Sequence, residues 1–484
     1  MGIANRVVLL ALTRIASYGL MFLSPLVLVR LLSVEQFGQY REFLLYVGIM
    51  QTLAAFSIPD SLLYFVAAHP ESPWRVVKHS AVLTLASSGA MTAVLIITDT
   101  LAHGALVGPY RWPLAVSTLC ATNLDFWEWF WVARRRPAAV FAYSAGRLFA
   151  RLSVVIAAAA LTHDVRVIVW SFVGIEGVRL ALSAFALWWF DRSSAEPPLA
   201  HPWREFLNFC VPGGIAAALQ MVSRNVSNVA VVKLIGSVGL AQYAIGRFGE
   251  PIVLALRNSI SSVVLPEMVH RDRIARERSL ALWQQALVAN AIFLFPVAVL
   301  VAWNAHLLVT TLFGADYAPA ASVLQLYMLV VVRECFDFSP PLRAVGSTRP
   351  IVVSNIASAA TCAAALFLLI PRYGVAGAMA AYVLASFVDA AVLAVATLAT
   401  YRARLRRLVP WASLAKVGFA ALAAGIALAG AAPPGVPAML GDAIAAVVYL
   451  AIFAVLLMLL RVPEALLLAG WLRRTVSGIV VRGV

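Results

Sequence analysis

Between Val7 and Arg461 the chain is almost wholly a string of apolar stretches of roughly twenty residues each, the length that carries a helix across a bilayer core. Several of these stretches contain arginine. A charge at bilayer depth is costly and persists where it faces a bundle interior or a watery cavity and has something to interact with. The pattern is that of an all-α polytopic membrane protein, and the interior arginines suit the passage of an anionic cargo. With 62% hydrophobic and 12% charged residues, the 484-residue chain lies far outside the soluble range, which excludes a soluble enzyme.

The formal charge of +15 would suit nucleic acid, but the basic residues sit in short connectors between spans, where the positive-inside rule accounts for them and no nucleic-acid partner is needed. Of the 37 Lys and Arg residues, 22 fall in one alternating set of connectors, among them Arg75 and Lys78, Arg134 to Arg136, Arg192 and Arg204, Arg271 to Arg278, and Arg402 to Arg407. The other set holds 6: Arg30, Arg41, Arg111, Arg166, Lys233 and Arg372. Both termini are therefore expected in the cytoplasm. Val7 to Leu32 is too long for the core of a signal peptide and is interrupted by Arg14, so it should remain as a span. Cys120, Cys210, Cys335 and Cys362 lie in four separate apolar segments without Cys-x-x-Cys spacing, which indicates neither a metal site nor a disulfide framework.

Proline, glycine and charge clusters divide the chain into about fourteen spans, near 7–32, 43–68, 79–101, 112–133, 138–162, 166–190, 205–232, 240–268, 281–303, 318–338, 350–370, 374–400, 411–431 and 438–460. The proline-rich stretch 191–204 follows the sixth span and reads as a cytoplasmic linker. It separates an N-lobe at 1–190 from a C-lobe at 205–408, with two further helices and a basic tail at 409–484. The aromatic runs around Trp127 to Trp131 and Trp188 to Phe190 read as interfacial belts. A repeat supports two lobes of six helices: VRLLSVEQFGQY (Val29 to Tyr40) and VKLIGSVGLAQY (Val232 to Tyr243) align without a gap. Six is an even number, so both lobes enter from the same side, related by an axis along the membrane normal.

Polar stripes mark the wet faces. Arg14, Ser17 and Tyr18 share one face of the first span, and Ser57, Asp60, Ser61 and Tyr64 share one face of the second beside Pro59. In the seventh, Gln220, Arg224, Ser227 and Asn228 form a stripe more than two turns long, and in the eighth Arg247, Glu250 and Arg257 cluster within about a quadrant. Internal pairing is the competing explanation. It fits Arg247 with Glu250, Glu176 with Arg179, Arg333 with Asp337, and Asp125 with an arginine of a neighbouring helix. Arg147 and Arg151 have no acid within a turn, which leaves snorkelling or a cavity role.

The chain resembles the multidrug/oligosaccharidyl-lipid/polysaccharide (MOP) exporter superfamily, and within it the Wzx-type polysaccharide flippases. The likeness is carried by RLLSVEQFGQY (Arg30 to Tyr40), by Phe206 to Tyr243 ending in GSVGLAQY, and by LFGADYAPAASVLQLY, AVGSTRP and IPRYGVAGAMAAY between Leu312 and Tyr382. It implies two six-helix bundles around a central cavity that opens alternately to either side, plus two C-terminal helices. The implied cargo is a polyprenyl-diphosphate-linked oligosaccharide moved from the cytoplasmic to the periplasmic leaflet for surface polysaccharide. Membrane lipids, a polysaccharide polymerase and other assembly proteins are the implied partners.

The resemblance places helices one, two, seven and eight around the cavity. Arg14 and Arg224, with no acid within a turn, are then the foremost contacts for the diphosphate, joined by Arg257 and Arg247, because the planar guanidinium fork matches phosphate oxygens. Ser17, Tyr18, Gln220, Ser227 and Asn228 would line the cavity. Asp60 and Glu250 could exchange a coupling cation, a proton or sodium, as access alternates, unless each only balances an arginine. No other cofactor and no metal is expected. The alternatives are a lipid II flippase, a cation-coupled multidrug exporter, whose cationic substrates suit arginines poorly, and a membrane glycosyltransferase or polymerase. Short outer connectors and the lack of an Asp-x-Asp pair, His/Cys cluster or nucleophile elbow argue against an enzyme.

Overall fold

The computed structural model describes residues 23–123, 126–134, 136–193, 196–197, 202–268, 273–429 and 438–465, and the ordered elements among them are helices. Helix α1 is seen at 23–31. It is followed by α2 (Val34–Ala55), α3 (Ile58–Ala68), α4 (Pro73–Leu101), α5 (Arg111–Leu119), α6 (Phe126–Ala133), α7 (Pro137–Thr162), α8 (Val165–Ser193) and α9 (Pro202–Leu234). Then come α10 (Ser237–Gly246), α11 (Glu250–Met268), α12 (Arg273–Trp303), α13 (Ala305–Phe313), α14 (Ala320–Glu334) and α15 (Ser339–Ala344). The chain closes with α16 (Arg349–Tyr401), α17 (Leu405–Leu408), α18 (Trp411–Ala429) and α19 (Ala438–Leu459). Among the described residues, seven helical segments are long and apolar enough to cross a membrane, and two shorter apolar helices lie in α18 and α19.

Several expected spans are broken, and the breaks have local causes. The second expected span starts at Val34 and divides at Phe56 and Ser57, both in the left-handed region, before Pro59 enters α3 near its start, where a missing N–H costs nothing. The fourth divides into α5, a 3₁₀ turn at Cys120–Asn123, and α6. The eighth unwinds at 247–249, between Gly246 and Pro251. The eleventh and twelfth meet at Gly374 (φ 56°), a conformation that glycine adopts without a Cβ clash, three residues after Pro371.

By packing, the chain forms two compact units, one ending at Ala244 and the other beginning at Ile245. In the first, the connectors segregate to two ends. At one end Gln36 Nε2 donates to the His163 carbonyl (2.7 Å), Tyr110 Oη to the Gln39 carbonyl (3.0 Å) and Lys233 Nζ to the Ala105 and Leu106 carbonyls (3.0 and 2.7 Å). Asp99 braces this end, accepting from Arg111 Nε at 2.5 Å and from the Val107 N–H at 3.2 Å. At the other end Glu196 accepts from the backbone N–H groups of Trp74 and Arg75, and Ser72 Oγ donates to the Pro197 carbonyl. The alternation in the sequence thus becomes a physical one, with the arginine-rich connectors gathered at the Glu196 end.

The aromatic run on α6 is not an interfacial belt throughout. Phe126, Trp127 and Phe130 are buried with Leu62, Phe65, Val76 and Phe206, and Trp127 Nε1 donates to Ser183 Oγ at 2.8 Å. Trp188 and Trp189 stay exposed, with the Arg192 guanidinium 4.2 Å over the Trp188 ring.

In the second unit Trp283 of α12 is fully buried and donates to the Asp337 carbonyl (2.7 Å). Gly418 and Gly425 bring α18 against Phe295 and Val299 of α12, and Tyr449 Oη of α19 donates to the Ala421 carbonyl at 3.1 Å.

Candidate functional site

The break between α2 and α3 faces α9. A Cβ built on Gly214 would lie 2.6 Å from the Phe56 ring, and one on Gly213 would lie 3.1 Å from Ser57 Oγ, so these glycines permit the close approach. Ser57 Oγ donates to Asp60 Oδ2 at 2.8 Å, and Tyr64 stacks on Phe209 with ring centroids 5.4 Å apart. Residues 209, 213, 220, 224 and 227 fall within about 60° on a helix, so the α9 stripe runs on from this contact along one face.

Gln220 and Arg224 on that stripe are exposed, Asn228 is half-buried and donates to Asn225 Oδ1 (3.1 Å), and Ser227 is buried. Asp60 is also exposed. Asp60 and Arg224 are thus both exposed, with Arg224 about 16 Å along α9 from Gly213 at 1.5 Å per residue. Arg224 has no ion-pair partner among the described residues. Arg14, Ser17, Tyr18 and Asp125 lie outside the described residues.

The other interior arginines named above that lie among the described residues are paired with carboxylates. Arg179 meets Glu176 at 2.6 Å and donates to Tyr143 Oη at 3.0 Å, as the i, i+3 spacing suggests. Arg147 and Arg151 are paired as well, through acids on other helices. Arg147 reaches Glu128 at 3.3 Å, and Arg151 lies 4.0 Å from Glu176 with its guanidinium over the Phe172 ring. Snorkelling is therefore replaced by cross-helix pairing.

In the second unit Arg247 sits at the unwound turn, 8% exposed, donating to both oxygens of Glu250 (2.9 and 2.8 Å) and stacked 4.2 Å over the Tyr382 ring. Arg257 is not held by Glu250. It pairs with Glu334 and lies 3.8 Å from Asp337. Arg333 turns away from Asp337, its expected partner, to bind Glu334 (3.0 Å), Asp389 and the Ser386 carbonyl (2.8 Å). The five-membered network holds two arginines and three carboxylates. The pairs of Arg147 with Glu128, Arg257 with Glu334 and Arg333 with Asp389 escaped the sequence reading because the partners lie 19, 77 and 56 residues apart. Spacing within one helix carries no signal of such pairs.

Among the described residues, no three His, Cys, Asp or Glu side chains converge as metal ligands would. Among the described residues the arrangement has two parts: interior arginines matched by carboxylates, and an exposed arginine on α9 with no carboxylate beside it.

A family model described as polysaccharide biosynthesis protein matches residues 3–270, more than half of the chain. A search of curated sequences finds no match. Among solved structures the fold is similar to lipid II flippase MurJ in an inward closed conformation, with TM-score 0.70 at 12% identity over 93% of this chain and 98% of that one. It is also similar to an inward-facing multidrug resistance MATE family transporter of the MOP superfamily (TM-score 0.59, 13% identity, 81% and 98% covered). A third likeness is to a MOP superfamily transporter from Pyrococcus furiosus (TM-score 0.57, 14% identity, 82% and 95% covered). At these identities the structures speak for the fold alone. The chain is a multi-pass, all-α membrane protein with the fold of the MOP transporters, and it belongs to the polysaccharide biosynthesis protein family.

Proposed function

We propose that the protein is a flippase that carries a polyprenyl-diphosphate-linked oligosaccharide from the cytoplasmic to the periplasmic leaflet of the bacterial inner membrane, by alternating access, with both termini cytoplasmic. The observation that carries this reading is the contrast among the arginines. Arg147, Arg179, Arg247, Arg257 and Arg333 are each matched by carboxylates, whereas Arg224 stands on the open face of α9 without one among the described residues. A diphosphate brings the charge that such an arginine lacks. Arg14 is assigned the same role from its sequence position. Arg247 and Arg257 would reach the diphosphate only by exchanging a carboxylate for it, so they rank below Arg224.

Asp60 is the carboxylate best placed for a coupling cation, since it is exposed and bound to a hydroxyl, while Glu250 is taken up by Arg247. Polysaccharide polymerase and other assembly proteins would receive the product at the outer leaflet. No catalytic role is assigned to any residue.

Deletion of the gene, followed by location of the lipid-linked sugar, tests the reading. The expected result is a complete lipid-linked oligosaccharide trapped in the cytoplasmic leaflet, with surface polysaccharide lost. A shortened sugar would replace the flippase by a glycosyltransferase. A second reading, with lipid II as the cargo, is compatible with the same fold, which the lipid II flippase MurJ shares. Accumulation of lipid II in the deletion strain, with surface polysaccharide unaffected, would establish it.

A further inference from the structure

The first unit also holds a half-open cavity of about 670 Å³ that the diphosphate reading does not use. It lies at the basic-poor end, where the connectors around 32–33, 102–110, 163–164 and 235–236 meet. Its wall is held by hydrogen bonds. Lys233 ties the end of α9 to the carbonyls of Ala105 and Leu106, Tyr110 Oη donates to the Gln39 carbonyl, and Glu42 accepts from Tyr46 Oη at 3.1 Å. Burial and the nearby Glu42 carboxylate push the Tyr110 phenol up, so it stays protonated and keeps donating at neutral pH. The cavity is therefore preformed, and its volume falls in the range of about 300–1,000 Å³ that holds small molecules.

Its lining decides what fits. Trp170, 49% exposed, lines it together with Gln39, Glu42, Arg166 and Lys233. Three charged side chains and an amide rule out a lipid tail. The Glu42 carboxylate offsets one of the two cations, Arg166 and Lys233, so a free diphosphate is matched only in part. A pyranose matches the set: its apolar C–H face lies on an aromatic ring, while its hydroxyls donate to a carboxylate and an amide oxygen and accept from guanidinium and ammonium groups.

We propose that this cavity binds a sugar residue of the cargo at the end of the protein where the cargo leaves. The proposal rests on the flippase reading for the identity of the sugar, but its binding test does not depend on transport. The probe is the phosphate-free oligosaccharide released by mild acid from the host's lipid-linked pool, titrated into the full-length protein in nanodiscs by calorimetry. Saturable binding is expected, weakened about tenfold or more by Glu42→Gln and by Trp170→Ala, the first removing a charge-assisted hydrogen bond and the second a stacking face. Trp170→Phe, which keeps an aromatic face, should retain most of the affinity. Binding that is equal in the wild-type protein and in folded Glu42→Gln and Trp170→Ala variants would overturn the proposal, as would no saturation up to about 10 mM. Deletion separates the two readings. Unimpaired export without the protein removes the flippase assignment and leaves the titration to judge the cavity, whereas blocked export with no binding removes only the cavity.

Discussion

A Cβ built on Gly38 would overlap the backbone carbonyl of Ser237, so the first copy of the repeated motif touches the second through a position that admits only glycine. Gly38 lies in the second turn of α2 and Ser237 is the first residue of α10, so the contact ties the first turns of α2 to the start of α10.

Gly38→Ala must therefore push a helix away from a backbone carbonyl, a cost of about 1–3 kcal/mol for overpacking a close approach. A lower melting temperature of the purified protein and reduced membrane abundance are expected. Gly89→Ala, where nothing lies within 4 Å of the added Cβ, is the control. It should be neutral or gain up to about 1 kcal/mol from helix propensity.

Glu176 is 3% exposed and faces both Arg179 and Arg151. Glu176→Gln removes the charge that balances them in the interior, and breaking a buried pair on one side costs about 3–5 kcal/mol. Folded yield and melting temperature should fall further than for Glu71→Gln, whose carboxylate is exposed in a connector beside His69. Equal stability of the two variants would show that the Glu176 pairs contribute nothing.

Arg224→Ala should reduce surface polysaccharide while the protein reaches the membrane at normal level. A charge-assisted hydrogen bond to phosphate is worth about 1.5–3 kcal/mol, and removing it corresponds to roughly a tenfold to hundredfold fall in transport. Arg224→Lys should recover part of it, because a point charge still attracts phosphate but lacks the bidentate fork. Replacing Arg136 alone should leave export intact, since its neighbours continue to fix orientation. Normal export by Arg224→Ala would remove this residue from the site, and loss of the protein itself would make it structural.

Reporter fusions follow from the segregation of connectors. Sites at Arg134 and Arg402 should report cytoplasmic, and sites at Arg111 and Asp316 periplasmic. A cytoplasmic signal at Arg111 would overturn the proposed orientation, and a signal there opposite to that of the other basic-poor connectors would contradict the packing, since Tyr110 Oη and Lys233 Nζ join that end.

The chain by itself determined whatever depends on neighbours within one helix or on the bilayer as solvent. Apolar stretches long enough to cross a membrane announce helices, since backbone groups in lipid have no water to bind. Connector charge announces sidedness, and pairs such as Glu176 with Arg179 and Arg247 with Glu250 were legible because three residues on a helix share a face. The polar stripe of α9 was legible for the same reason, whereas the break at Phe56 and Ser57 within the second expected span was not.

Only tertiary structure decided which faces meet. Arg147 and Arg151 have no local acid, yet α7 packs so that Glu128 and Glu176 reach them. Arg333 has Asp337 one turn away but binds Glu334 and Asp389, leaving Asp337 beside Arg257. Trp127 and Phe130 have the composition of an interfacial belt and lie in the core instead. The fixed 3.6-residue period of a helix sets the face of every residue in advance, but the partner that covers a face depends on how helices far apart in sequence are brought together.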